Sequence, residues 1–178
     1  MYNKKMLTNF YEDLSSSEIK RISKKTVLIF PFSSIEQHGS HLPINTDKKI
    51  LEGILNKFNS KFVSNKYVIM PQIYIGSASE HKSYEGTISL NSVDFIEYSI
   101  KIIEQFCKNK FKNIFLLNSH GGQISHLDII GKELKAKYNI TIVKGTYFLF
   151  DDFKGIISRK EKEYGYHGGE FETSLMLY

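Results

Sequence analysis

Short, continuously apolar runs alternate along the chain with longer stretches whose apolar residues recur every three or four positions. Residues 26–30 (TVLIF) are apolar throughout and stop at Pro31, as expected of a strand buried on both faces. Residues 67–70, stopping at Pro71, then 113–117 and 140–143, repeat that pattern. The intervening segments read as helices. Residues 17–25 follow a serine-rich capping segment, and 47–58 place Ile50, Ile54, Leu55 and Phe58 at helical spacing. Asn91 or Ser92 opens a helix reaching about Lys108, with Phe95, Ile96, Ile100, Ile103 and Phe106 apolar. Residues 124–137 carry Leu127, Ile130 and Leu134 on one stripe. This alternation predicts an α/β fold with a layered, largely parallel central sheet flanked by helices. Such sheets gather their sites in the loops beyond the carboxyl ends of the strands. Residues 151–166 are polar and charged and read as an excursion loop. No repeat or linker divides the 178 residues, so 1–178 are expected to form a single domain.

Composition narrows the class. An apolar fraction of 41% and a charged fraction of 24% exclude collagen-like, low-complexity and wholly disordered chains. No run approaches the roughly 18 apolar residues of a membrane span, and the first residues lack a signal peptide's apolar core. A lone cysteine, Cys107, has no internal disulfide partner, so a cytoplasmic location is expected. Beside Phe106 on a helix, it reads as a small buried apolar residue. The net charge of +5 does not point to nucleic acid. Twenty-two of the 24 basic residues are lysines scattered among acids, and residues 160–163 alternate in sign. Nucleic-acid binders concentrate Lys and Arg on one face. The chain has no tryptophan and ends in an apolar run, Ser174-Leu175-Met176-Leu177-Tyr178.

The chemistry concentrates in three segments. Glu36-Gln37-His38-Gly39 follows the first predicted strand, with His41-Leu42-Pro43 behind it and Asp47 opening the next helix. Glu36 and His38 are two apart, so extended backbone presents both on one side. Asn118-Ser119-His120-Gly121-Gly122 follows the third strand, and His167-Gly168-Gly169-Glu170-Phe171-Glu172-Thr173-Ser174 closes the chain's motifs. A lone loop histidine usually does no more than make a hydrogen bond, and Gly-Gly is commonly a turn. Three such segments, falling after predicted strands or at a helix start, make a stronger signal. Without cysteine among them, they suit an open site of nitrogen and oxygen ligands for a divalent cation.

These blocks carry a resemblance to the creatininase family. Residues 36–47 resemble its first metal motif. Gly76-Ser77-Ala78-Ser79-Glu80-His81, with Gly86-Thr87-Ile88-Ser89-Leu90, resembles the second block. Residues 118–123 resemble its Asn-Gly-His-Gly-Gly-Asn block, and 167–174 its His-Ala-Gly-Glu-x-Glu-Thr-Ser block. The order is the family's own. Ser119, Gln123, Gly168 and Glu85 depart from the pattern without removing an expected ligand. Creatininase proper has a glutamate ligand where this chain has Gly122, and tryptophans close its site. The resemblance is therefore nearer to Gly-Gly-type members, such as formamide hydrolases and mycofactocin precursor peptidases, than to creatininase itself.

The resemblance implies two divalent metal ions per subunit, Zn, Mn or Fe. Glu36 and His120 would hold one and His38 and Glu172 the other, with Asp47 between them. It implies a metal-dependent amidohydrolase cleaving a non-standard C–N bond, cyclic or formyl, through a metal-bridging hydroxide. His167 would protonate the leaving amine, and Glu170 would orient the water or His167. Glu170 is also the second choice as ligand, and a helix-terminal carboxylate is the plainer reading for whichever glutamate binds no metal. The substrate would be a small-molecule amide or short peptide, with no nucleic acid and no membrane involved. The family also implies homo-oligomers, often hexamers. Its members run on past the point where this chain stops, so the family's C-terminal end is expected to be lacking. The alternatives are an inactive metal-binding or scaffold member, or a peptidase acting on a modified precursor peptide. His41 is expected to orient Asp47. Glu80 and His81 either line the pocket or cap a loop, Tyr74 and Tyr84 line a pocket or, as aromatics in such loops more often do, pack, and His126 is a surface histidine.

Overall fold

The apolar runs become strands of one parallel sheet. A computed structural model describes residues 8–151, 153–165 and 167–178. Its strands are β1 (Val27–Phe32), β2 (Tyr67–Ile69), β3 (Asn113–Asn118) and β4 (Thr141–Thr146). They lie in the order β2-β1-β3-β4, with every neighbouring pair parallel. β1 continues two residues beyond its expected end, through Pro31. Val27 donates to the Lys66 carbonyl on the β2 side, so the missing N–H of Pro31 also falls on that side. There the β2 ladder has already ended, and the Pro31 carbonyl accepts instead from Ile73 N at 2.9 Å.

The helices are α1 (Ser16–Ile19), α2 (Thr46–Lys61), α3 (Ser92–Lys108), α4 (Ile124–Lys137), α5 (Arg159–Tyr164) and α6 (Glu170–Leu177). Alternate residues of β1 face opposite layers. Leu28, Phe30 and Phe32 pack with Phe95, Ile103, Leu127, Ile130 and Leu134 of α3 and α4. Ile29 packs with Leu51 and Leu55 of α2 on the other face. Full burial of each such side chain contributes about 1.5–3 kcal/mol, and the edge-to-face Phe32–Phe95 pair, at 6.0 Å, adds about 0.5–1.5 kcal/mol. The Asn91 side chain accepts from Asp94 N at 2.9 Å and so caps α3. Cys107 is buried as expected, and burial pushes its thiol up to about 11.

Three expectations change. The helix read over 17–25 is the single turn α1, because Ile19 and Ile22 are the only apolar side chains available to hold it down. Its last lysines lie exposed. The segment read as a loop over 151–166 contains α5, begun by Ser158 Oγ accepting from Glu161 N at 3.1 Å. β4 is an edge strand with Val143 exposed, rather than a strand buried on both faces. Among the described residues, no helix is long and apolar enough to cross a membrane.

The first crossover places β2 on one side of β1, and the second places β3 on the other. The connections leaving β1 and β3 therefore turn to opposite sides and leave a crevice at the carboxyl edge, the position where open parallel sheets bind ligands.

Candidate metal centre

Beyond Phe32 the backbone runs on to an antiparallel bridge between Ile35 and Ile88. Ser34, Glu36 and His38 alternate along this stretch and are all buried. Gly39, at φ +73°, turns the chain back so that His38 bridges Leu42. The returning chain enters α2, whose second residue is Asp47, where the helix dipole favours an anion. Ser34 Oγ donates to Asp47 Oδ2 at 2.5 Å. Beyond β3, Asn118 closes a tight loop on His120. Its Nδ2 donates to the His120 carbonyl at 2.7 Å, and its Oδ1 accepts from His120 N at 3.1 Å. Buried Gln123 donates to the same Oδ1 at 2.8 Å, so it braces the loop from behind. The final segment is seated by Gly168, at φ +60°, where a Cβ would stand 3.1 Å from the His38 carbonyl oxygen.

These loops converge. Asp47 divides its oxygens between two imidazoles, with Oδ1 3.5 Å from His38 Nε2 and Oδ2 3.4 Å from His120 Nδ1. Glu36 Oε1 lies 3.1 Å from His120 Nδ1 and 3.9 Å from His38 Nε2. Glu172 Oε1 lies 3.7 Å from His38 Nε2, while its Oε2 accepts from Gly168 N at 2.6 Å. His167 packs between the rings of His38 and His81, with Nδ1 3.5 Å from Glu36 Oε1. Potential ligand atoms fall within 4.8 Å of one another in three groups: Glu36, Asp47 and His120; His38, His167 and Glu172; and Glu36, His81 and His167. Both carboxylate oxygens of Glu36 and Nε2 of His38 are buried without a hydrogen-bond partner. Such groups carry a desolvation cost unless something pairs with them. A divalent cation fits this donor set of carboxylates and imidazoles, which contains no thiolate.

The charges are strongly coupled. Burial opposes a charge on His38, but Asp47 and Glu172 outweigh it and raise the imidazole to about 10. Burial opposes the charge on His120 too, yet Asp47, Glu36 and Glu80 hold it well above its ordinary value. Asp47 is buried as well, and the two imidazoles keep its carboxyl well below the usual carboxylate range. Glu80 is held at about 2, chiefly by its hydrogen bond to His120. His81 is lowered, first by burial. Burial, with Glu172 and Asp47 nearby, raises Tyr147 far enough to keep it protonated.

A cavity of about 710 Å³ opens over this cluster. Its lining includes Glu36, Asp47, His120, His167 and Glu172 together with Tyr147, Phe148, Leu149, Phe153 and Phe171. Glu80 and His81 form a 3₁₀ turn and also reach the cavity, so both readings of that pair apply. Glu170 is not brought in: its carboxylate accepts from Ser158 Oγ at 2.8 Å. His41 bonds Thr173 Oγ1 at 3.0 Å rather than Asp47, because the Gly39 turn carries it outward; Ser34 touches Asp47 instead. Tyr74 and Tyr84 are exposed and stand outside the cavity wall. His126 is half-buried, edge-on to Phe95 at 5.8 Å, rather than a surface residue. Ser34, Tyr147 and Glu161 were not evident from the sequence. Ser34 could have been found, since it stands two before Glu36 in the same alternation. Glu161 Oε1 accepts from Phe171 N at 3.0 Å and caps α6 from another helix, which leaves no local signal.

The sequence model of the creatininase family (creatinine amidohydrolase) matches residues 12–178, and the chain belongs to that family. It is 26% identical over 122 residues to a mycofactocin precursor peptide peptidase of Mycolicibacterium smegmatis, covering 66% of this chain and 49% of that protein. It is 26% identical over 168 residues to a creatinine amidohydrolase of Pseudomonas putida, covering 85% and 63%. The chain thus spans between about half and two-thirds of the length of these relatives. A crystal structure of creatinine amidohydrolase superposes with a TM-score of 0.76 at 23% identity, over 97% of this chain and 72% of that one. This likeness shows that the fold is shared.

Proposed function

We propose that this chain carries the centre of a metal-dependent hydrolase acting on the C–N bond of a small amide or short peptide. The observation that carries this reading is the buried meeting of Glu36, His38, Asp47 and His120, with three of their polar atoms left without a hydrogen-bond partner. Glu36, Asp47 and His120 would hold one cation and His38 and Glu172 a second, with Asp47 facing both histidines. Bound there, divalent cations supply Lewis-acid activation of a water and of the amide carbonyl. Solved creatininases described as Mn and as Zn–Zn forms agree with that choice of ion. The relatives named for creatinine and for a precursor peptide support a C–N bond as the target.

The chain's own groups do the rest. His167 is partly accessible and faces the cavity, so its imidazole can hand a proton to the departing amine. Glu172 keeps its carboxylate aimed at His38 because Gly168 N holds the other oxygen. Glu170, turned toward Ser158, takes no part. The apolar wall from Tyr147 to Phe171 excludes water and receives the non-reacting part of the substrate. An amine-release assay over formamides, cyclic amides and short peptides, with Mn or Zn added, tests the reading. Turnover abolished by chelation and by His38→Ala is the expected result. A protein that binds metal but releases no amine from any member of the panel would favour a scaffold role instead.

A further inference from the structure

Gly122 has no space for a side chain. A Cβ built there would meet Glu80 Oε1 at 1.7 Å, Glu80 Cδ at 2.7 Å and His120 Nε2 at 2.7 Å. Its φ is not among the positive values of the chain's glycines, so local space, not backbone conformation, demands glycine. What fills the space is the carboxylate of Glu80, which reaches in from the 3₁₀ turn Ser79–His81. Glu80 Oε1 stands 3.3 Å from His120 Nε2, and the Ser77 carbonyl stands 3.2 Å from the same nitrogen. The ring's other nitrogen, Nδ1, faces Glu36 and Asp47. His120 therefore has an acceptor pair behind it and the carboxylates of the candidate centre in front.

We infer that Glu80 is a positioning residue of the metal centre, whose carboxylate, lodged over Gly122, fixes the proton on His120 Nε2 and aims Nδ1 at the cation. This rests on the cation site proposed above. A neutral imidazole offers a lone pair on one nitrogen only when the other carries the proton. A carboxylate accepting that proton sets the ring's orientation and makes the ligating nitrogen a better donor. Glu80 acts through His120 and not as a ligand. Among the described residues it belongs to none of the groups whose ligand atoms converge, and its nearest partner is the ring nitrogen on the far side from Glu36. The Ser77 carbonyl alone would orient the ring, but it brings no charge.

The test uses the full chain, titrated with zinc and with manganese against a competing chelator. Glu80→Ala is expected to weaken binding about 10–100-fold. Glu80→Gln keeps an acceptor without the charge and is expected to fall between Ala and wild type. The Glu80 side chain is 44% exposed on a surface turn, so the thermal midpoint of the metal-free variants should stay at the wild-type value. A merely structural role would move that midpoint and leave affinity alone. In the zinc-loaded protein, nitrogen-15 spectra should show His120 protonated at Nε2, with a downfield ring proton that Glu80→Ala shifts upfield. Wild-type affinity in Glu80→Ala, with that signal unmoved, overturns the inference. A wild-type chain that takes up neither metal overturns the cation reading itself, an outcome distinct from the first.

Discussion

Gly168→Ala probes the seam that joins the two ends of the centre. At φ +60° the residue is left-handed, which costs a non-glycine residue about 1–2 kcal/mol. The added Cβ would also stand 3.1 Å from the His38 carbonyl oxygen and 3.2 Å from its carbon, so backbone must move. Together these should cost about 2 kcal/mol, or roughly 4–8 °C in Tm for a chain of this size. The movement is directed. It separates the His167–Glu172 segment from His38 and leaves Glu36, Asp47 and His120 on their own loops. Bound metal should therefore fall from two ions toward one. Gly155→Ala is the control, because Gly155 has φ +76° but nothing within 4 Å of a Cβ. It carries the strain without the collision and should keep full metal content. Elemental analysis of dialysed protein and a thermal melt read both effects. Wild-type metal content in Gly168→Ala, or an equal loss in Gly155→Ala, would show that the contact at Gly168 does not seat the His167–Glu172 segment.

The two terminal glutamates should separate cleanly. Two positions apart on a helix they diverge by about 200°, so Glu172→Gln should lose one metal ion and Glu170→Gln none; the reverse result in elemental analysis contradicts the placement. Metal affinity should rise with pH from 6 to 8. In the metal-free protein His38 stays protonated up to about 10 and His120 is raised as well, so a cation must displace both protons. Calorimetry in buffers of different ionisation enthalpy should report proton release on binding, whereas pH-independent affinity with no release would refute it. Cys107 is buried with its thiol pushed up to about 11, so a thiol reagent at pH 8 should label it only in denaturant. Rapid labelling of the native protein would show that the α3 face is open.

Burial patterns made the sheet legible in sequence wherever a strand is covered on both faces. β1 and β3 read as apolar runs, but Pro31 hid the end of β1, because only the neighbouring ladder's early stop makes proline acceptable there. α5 was hidden because RKEKEY has no apolar stripe and the helix is started by Ser158 alone. In the site, Glu36, His38 and Asp47 stood out because strand alternation and a helix start are local. Choosing between Glu170 and Glu172 required knowing where α6 begins. The Glu80–Gly122 contact is spatial, between loops 42 residues apart, and leaves no trace in either segment alone.

The most direct measurement is the metal content of the chain after expression with manganese or zinc and dialysis, with His38→Ala beside it, followed by anomalous diffraction from crystals. Close to two ions per chain are expected, one among Glu36, Asp47 and His120 and one beside His38 and Glu172, with the second lost in His38→Ala. A well-folded wild-type chain holding no stoichiometric metal would contradict that expectation.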